Sequence, residues 1–462
     1  MIEKTKKSAA RKLMQDTQNK HFGEKVRARV CEVLWETPAI TLEHILKKSL
    51  NCDPVFLLDV LHELQDADFI SSTEGREYPV RYSLKERDRY PRPKTPRFSR
   101  SATKPSLGIS SNSRQTQYLS ELLQEMFNSF PEEAPIYSQW WFSESIYKNL
   151  IQLVLHLSKP GTHLAFLGSG TLGALLSHFS TNPVNIFDVD GVLLETISRY
   201  CSESTQTIRY DVSNEPDSSF EETFQLVFVD PPWSSSMLRT FLVRSSTFVS
   251  VRGTLVISFP PVLTRPSAEL ERKELLNFAK SLGLSLELTL PSFTEYSVPA
   301  FERNAYEHCG IHLREPWRRG DLFIFTKTHH SPPDTMPLIE KMSEWSQYNH
   351  EKCRLFLKRD GLFEDGPPSV QPIPGVEDLM YKSVSTRMAS WQSASLVSTR
   401  NHIAHAYGRR ELSALFKTTF GQDHGNYKNY EAFASMIPVE IQQTILSMLN
   451  ISNSEKQPTV SR

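Results

Sequence analysis

Leu164-Ala165-Phe166-Leu167-Gly168-Ser169-Gly170-Thr171-Leu172-Gly173 decides the fold, because a short apolar run passes at once into glycines spaced Gly-x-Gly-x-x-Gly. That order predicts a buried strand, a tight turn and a helix through Leu175 and Leu176, since glycine tolerates turn conformations and lets backbone approach a ligand or a neighbouring element. The alternation continues downstream. Val184-Asn185-Ile186-Phe187 ends at Asp188 and Asp190 and leads into a helix through Leu193, Leu194 and Ile197. Thr207 to Tyr210 ends at Asp211, Leu226 to Val229 ends at Asp230, and Thr254 to Phe259 supplies a fifth strand. Repeated strand and helix signals predict an α/β, Rossmann-like core with acids at the carboxyl ends of successive strands, where open sheets bind ligands.

Within that core, Gly168, Gly170 and Gly173 are the candidate backbone approach to a nucleotide-type co-substrate. Asp188 lies about twenty residues on, where an acid accepts from ribose hydroxyls. Asp190 and Asp211 complete the candidate binding set, although Asp188 and Asp190 also fit as caps of the following helix. The last signal is Asp230-Pro231-Pro232-Trp233. Two prolines fix φ and supply no N–H, so the loop holds its carbonyl oxygens outward beside a carboxylate. Such a loop suits a nitrogen nucleophile, with Trp233 packing on the reacting group or filling the core. The acidic turns feeding into it favour an S-adenosyl ligand over a dinucleotide.

The 462 residues carry a net charge of −1, so no overall field recruits nucleic acid or membrane, and any such binding is local. Five scattered cysteines with no C-x-x-C spacing argue against a zinc site or a disulfide scaffold. His308 and His312 lie four apart but lack carboxylate partners, so no metal is expected. No apolar run approaches the ~18 residues of a membrane span. A cytoplasmic protein is the expectation.

Five regions follow from composition. Residues 1–24 read as a disordered basic tail. Residues 25–84 give three helical patterns and then two strand signals, the order of a winged-helix domain. Its third helix is rich in Asp59, Glu63, Asp66 and Asp68, which repel phosphate and favour a protein contact or a lid. Residues 85–114 form a basic, proline-rich linker. Residues 115–328 hold the transferase core, entered through the aromatic run Tyr137-Ser138-Gln139-Trp140-Trp141-Phe142. Residues 329–462 read as mostly helical.

The core resembles the branched-chain polyamine synthase family, the bis-aminopropyltransferases that use decarboxylated S-adenosylmethionine. The likeness runs from about Tyr137 to Lys327, through Leu167-Gly168, Ile186 to Asp190, Asp230 to Trp233 and Phe293-Thr294-Glu295-Tyr296. It implies a winged helix joined to a Rossmann-like catalytic domain, with Tyr137, Gln139, Glu295 and Tyr296 lining the substrate pocket. The family's run of aspartates after the first strand is Ser169-Gly170-Thr171 here, Ser138 replaces an aspartate, and Trp233 replaces a tyrosine. Each carboxylate so lost would remove about 1.5–3 kcal/mol of charge-assisted contact to a polyamine. In the tail, Arg400-Asn401-His402-Ile403-Ala404-His405 resembles the short motif of HEPN ribonucleases. The two side chains stand about 140° apart on a 3.6-residue helix, so assembly or docking is the expected role there and RNA cleavage is not.

The sequence thus points first to aminopropyl transfer from decarboxylated S-adenosylmethionine to a polyamine or other amine, without a metal. Methyl transfer from S-adenosylmethionine to a nitrogen is the alternative. A nucleotide-sensing protein with a worn site and a ribonuclease tail is the third reading. A small-molecule amine is the expected partner, with nucleic acid and a second copy of the chain as further candidates.

Overall fold

The structure, a computed structural model, describes residues 2–48, 51–75, 78–85, 113–313, 315–330, 345–359, 367–385, 388–420, 441 and 443–445. The chain divides into two compact units. The first comprises Met1–Asn128, Trp141–Val298 and Leu313–Ile339, and the second Ser129–Trp140, Pro299–His312 and Glu340–Arg462. Residues 129–140 and 299–312, placed in one core domain by the sequence pattern, thus pack with the tail.

The first unit opens with α1 (Ile2–Glu36), β1 (Ile40–Thr41), α2 (Leu42–Lys48), α3 (Pro54–Asp66), β2 (Ile70–Gly75) and β3 (Tyr78–Leu84), whose strands form an antiparallel sheet ordered β1-β3-β2. Asp53 starts α3 by accepting from the N–H groups of Val55 and Phe56, with Pro54 at the first helical position. Val26, Val30, Val33, Leu57 and Leu61 are buried, as their helical spacing predicts. The basic N-terminal segment is helical rather than disordered. It contains neither glycine nor proline before Gly23, and Lys, Arg, Gln and Ala extend a helix readily. The basic linker lies, from 86 to 112, outside the described residues.

After α4 (Ser113–Ser129) and α5 (Glu144–Leu157) comes the alternating core: β4 (Leu164–Leu167), α6 (Gly170–Leu176), β5 (Val184–Asp188), α7 (Gly191–Ser198), β6 (Thr205–Arg209), β7 (Phe224–Val229), α8 (Ser235–Phe248), β8 (Val249–Phe259), α9 (Ala268–Ser281), β9 (Leu284–Tyr296) and β10 (Arg318–Lys327). The seven strands form one sheet ordered β6-β5-β4-β7-β8-β10-β9. Strands β4 to β8 run parallel, and β10 is antiparallel to both β8 and β9. The chain leaves β4 toward β5 and β6 and then returns to its other side for β7 and β8. That reversal opens a crevice at the carboxyl end of β4, where such sheets bind ligands. Its walls are fixed by a fully buried core of Phe166, Phe187, Phe224, Phe228 and Phe248.

The second unit contains α10 (Ala300–His308), β11 (Trp345–His350), β12 (Cys353–Lys358), β13 (Ser369–Gln371), α11 (Ala389–Ser393), β14 (Leu396–Ser398), β15 (Ile403–Tyr407) and α12 (Arg409–Phe420). Its strands form a five-stranded antiparallel sheet ordered β11-β12-β14-β15-β13, so the mostly helical tail expected from the sequence is corrected. Both faces of this sheet are covered. Leu355, Leu357, Leu396, Ala404 and Ala406 enter one apolar cluster, and Phe356, Val397 and Ile403 enter another. Such strands show no polar alternation, and apolar runs this short cannot be told from helix by period.

Candidate active site

Asp230 directly follows β7, whose last residue Val229 pairs with Ile257 of β8, so Ser258 stands level with it. The Tyr296 hydroxyl is 2.7 Å from Asp230 Oδ1 and donates to it, and it also lies 2.7 Å from Ser258 Oγ. Tyr296 is 2% exposed, so this carboxylate–phenol–hydroxyl line is shielded from water. Burial pushes the Asp230 carboxyl up to about 7, against the pull of the Tyr296 and Ser258 hydroxyls toward the charged form. The Tyr296 phenol is raised well above its usual range by burial and by the Asp230 charge.

The loop after Asp230 is fixed at both ends. The Asp230 N–H donates to Leu167 O at 3.1 Å, tying it to β4. Gly168 lies beside this bond with φ of 63°, and a Cβ there would come within 2.9 Å of Asp230 O, so only glycine fits without displacing the loop. Beyond the two prolines, Arg265 donates to Trp233 O at 2.7 Å and is itself held by Glu271. Ser234 then accepts from the Met237 N–H and caps α8.

Aromatic rings surround the carboxylate. Trp233 meets Tyr296 edge-on at 5.5 Å between centroids, and Phe142 packs against the same tyrosine at 5.2 Å. Phe142 is brought there by an antiparallel bridge to Tyr296. The Arg318 guanidinium lies 5.6 Å from the Trp233 ring centre and 5.4 Å from that of Trp317. Gly320, opposite Thr294 in the β9–β10 register, leaves room for all of this. A Cβ there would meet Ser258 Oγ at 2.7 Å and the Trp233 ring at 3.0 Å.

On the co-substrate side the three glycines do different work. Gly168 is exposed at the strand end. Gly170 and Gly173 are buried in α6, where a Cβ would strike Ile197 and Ile186 at 2.9 and 2.8 Å respectively. Those two glycines let α6 lie close to Ile186 of β5 and to Ile197 of α7. Asp190 is 1% exposed and caps α7 by accepting from the Val192 and Leu193 N–H groups. Asp188 and Asp211 remain partly accessible at the ends of β5 and β6. Their Oδ1 atoms accept from the N–H groups of Asp190 at 2.9 Å and Ser213 at 2.8 Å, which sets each carboxylate's direction. Exposed backbone at Gly168, with acids at the ends of β5 beside it and β6 beyond, fits the hydroxyl and amino donors of an adenosyl group. Among the described residues no cluster of three or more His, Cys, Asp or Glu is placed to hold a metal.

The four expected pocket residues part company. Tyr296 touches Asp230. The Glu295 carboxylate accepts from Ser143 Oγ at 2.8 Å, Ser145 Oγ at 3.1 Å and Arg319 at 2.9 Å, a set of partners within the first unit. Tyr137 and Gln139 belong to the second unit. There Tyr137 packs on Phe356, and Gln139 Oε1 accepts from the fully buried Arg354 at 2.9 Å. The HEPN-like reading is also corrected. Arg400 to His405 span the turn and strand of the β14–β15 hairpin, with Asn401 at φ of 63° and the Arg400 guanidinium paired to Glu132 at 3.1 Å. No helix carries them. Ser258, Phe142, Arg318 and Gly320 were not among the expected site residues; Phe142 had a signal in the aromatic run, and Ser258 one as the residue aligned with Asp230 on the next parallel strand.

A family described as "Probable N6-adenine methyltransferase" matches residues 133–274. No curated protein sequence matches the chain. Among solved structures, the C9 mutein of the branched-chain polyamine synthase from Thermus thermophilus, in complex with N4-aminopropylspermidine and 5'-methylthioadenosine, is 14% identical with a TM-score of 0.55. The match covers 71% of this chain and 92% of that one. The non-mutein form from the same organism is 12% identical with a TM-score of 0.52, over 69% and 92% of the two chains. The mixed α/β core with its parallel-rich sheet has a Rossmann-like fold, and the protein is a transferase.

Proposed function

We propose that the protein is an N-methyltransferase acting on an exocyclic amine of an anionic acceptor, with adenine N6 in a nucleic acid as the acceptor. The observation that carries this reading is the pairing of an amine-accepting carboxylate, Asp230, with the Arg318 guanidinium stacked over Trp233 of the same loop. A cation beside the acceptor position favours phosphate-bearing substrates and opposes a polyamine, whose every amine is positively charged. The description of the matching family supports the choice of adenine.

S-adenosylmethionine, when bound, supplies an electrophilic methyl carbon on a sulfonium. The backbone at Gly168 and the carboxylates of Asp188 and Asp211 would hold its adenosyl part. Asp230 and the Pro231 carbonyl accept hydrogen bonds from the acceptor's N–H groups and so direct the nitrogen lone pair away from them. With its carboxyl near 7, Asp230 can take the proton the amine gives up. Tyr296 and Ser258 hold that carboxylate in place, and Trp233 offers a face for a planar base. We read α1 to α3 with the sheet β1-β3-β2 as a winged helix. The acids on α3 suit a protein contact or a lid better than phosphate. A cytoplasmic setting is part of the same proposal.

Aminopropyl transfer is the second reading, favoured by Tyr296, the residue of the Phe293 to Tyr296 block that contacts Asp230. Calorimetry against S-adenosylmethionine, its decarboxylated form and 5'-methylthioadenosine separates the two. Preference for S-adenosylmethionine, with methyl transfer to adenine-containing oligonucleotides, is the expected result. Preference for the decarboxylated form, with turnover of spermidine, would replace it.

A further inference from the structure

Asn51 stands between α2 and α3, far in sequence from the Asp230 loop, yet it is only 3% exposed. Its amide holds a single residue of β10. Nδ2 donates to Arg319 O, and Oδ1 accepts from the Arg319 N–H, so one side chain takes both backbone groups of that residue. One partner accepts and the other donates, which fixes the orientation of the amide. The carboxamide stands in for a peptide group.

It does so where β8 has run out. Asp321 is the last residue of β10 paired with β8, opposite Phe259, and β8 ends there. Pro260 and Pro261 follow, and neither has an N–H with which to extend the ladder. On its other side β10 keeps β9, with Tyr296 opposite Arg318 and Glu295 opposite Arg319. Asn51 thus closes the edge that β8 leaves open.

Three consecutive residues of this stretch serve the site. The Arg318 guanidinium lies over Trp233, that of Arg319 donates to Glu295 at 2.9 Å, and Gly320 makes room for Trp233 and Ser258. Holding the backbone of the middle residue sets the aim of its two neighbours. The ion pairs Lys47–Glu315 and Lys25–Glu269 join the same N-terminal helices to the core, but half or more of each carboxylate side chain is in solvent, where such pairs contribute little.

We propose that Asn51 is a positioning residue of the transfer reaction. Through the Arg319 backbone, the N-terminal helices and their small sheet hold Arg318 over Trp233 and so set where the acceptor lies. The inference rests on the acceptor reading of the Asp230 loop given above. It gives the N-terminal elements a part in transfer that needs no contact with substrate.

The test uses the full chain. Asn51 has a φ of 67°, a left-handed conformation that glycine adopts freely, so Asn51→Gly removes the amide without straining the backbone. Hydrogen exchange at the Arg319 amide should quicken about tenfold or more in this variant, as its acceptor is lost. Acceptor kcat/KM should fall about 10- to 100-fold, mainly through KM, as a misplaced binding group requires. Affinity for S-adenosylmethionine in calorimetry should stay near wild type, whereas a merely structural role would weaken both ligands alike. Asn51→Asp keeps the acceptor for the Arg319 N–H and loses the donor to its carbonyl, so it should recover part of both effects. Lys47→Ala, which cuts only an ion pair, should behave as wild type. Equal exchange at Arg319 in wild type and Asn51→Gly overturns the proposal, and so does faster exchange with an unchanged acceptor kcat/KM. Absence of methyl transfer by wild type would count against the proposed function instead, and the same two comparisons with spermidine as acceptor would then decide this one.

Discussion

At the scale of single residues, the decisive group is a carboxylate kept partly protonated near neutrality by burial while two hydroxyls oppose the shift. If the proposed reaction holds, Asp230→Asn should abolish methyl transfer and leave the S-adenosylmethionine affinity near wild type, because Asp230 would serve the nucleophile. It should also stabilise the protein at high pH. A carboxyl raised above its unfolded value keeps its proton longer in the folded state, so its favourable contribution is complete at low pH and is lost as pH rises through about 7. The variant should therefore melt above wild type at pH 8, by about 2–4 °C per kcal/mol relieved, with the gap closing toward pH 4. Equal melting at both pH values would show that the carboxylate is solvated. Tyr296→Phe removes a donor to the charged form, so Asp230 should titrate higher and the rising limb of the pH–rate profile should move to more alkaline pH. Asp188→Ala tests the other half of the site. Loss of a contact of ~1.5–3 kcal/mol should weaken S-adenosylmethionine binding about tenfold or more in calorimetry, with the fold intact because Asp188 ends its strand.

Elements bring these residues together through close approaches that only glycine permits. Gly168 lets the end of β4 lie against Asp230 O, and Gly320 lets β10 pass beneath Trp233 and Ser258. Gly168→Ala combines a left-handed conformation with a 2.9 Å contact to backbone, which cannot yield as a flexible side chain would. A loss of about 1–3 kcal/mol in stability is expected from the strained backbone, together with a fall in kcat as the Asp230 loop shifts. Gly170→Ala meets side-chain methyl groups of Ile197 and Ile186 and should be milder. Chemical denaturation of the two variants side by side checks the ranking, and a larger loss from Gly170→Ala would mean that the α6 contact, and not the β4–β7 edge, is the rigid element.

For the molecule as a whole, the second unit is assembled from three separated stretches of chain. Glu132, from the first of them, takes the Arg400 guanidinium and accepts from Thr399 Oγ1 at 2.7 Å, while its carbonyl accepts from the buried Arg354. A fragment beginning near Pro333 would lack Glu132, Gln139 and α10, so assays of the tail need the full chain. No RNA cleavage is expected from that chain, because Arg400 is committed to Glu132 and His405 lies on a strand of the hairpin. Cleavage by wild type that vanishes in both Arg400→Ala and His405→Ala would contradict this.

By itself the sequence determined what depends on local order: the strand and glycine turn at Leu164 to Gly173, the acids ending successive strands, and the Asp-Pro-Pro-Trp loop after β7. These are contiguous signals, and their physics is that of backbone freedom and short hydrogen bonds. Tertiary structure alone decided which acids stay accessible, since Asp190 caps a helix N-terminus while Asp188 and Asp211 remain partly exposed. It also brought Tyr296, Ser258, Phe142 and Arg318 to Asp230 from strands and loops far apart in the chain, because the β7–β8 and β9–β10 registers set those neighbours. The tail shows the same limit most plainly. Its strands are buried on both faces, so no periodicity announced a sheet, and only the packing of two apolar clusters against it reveals one.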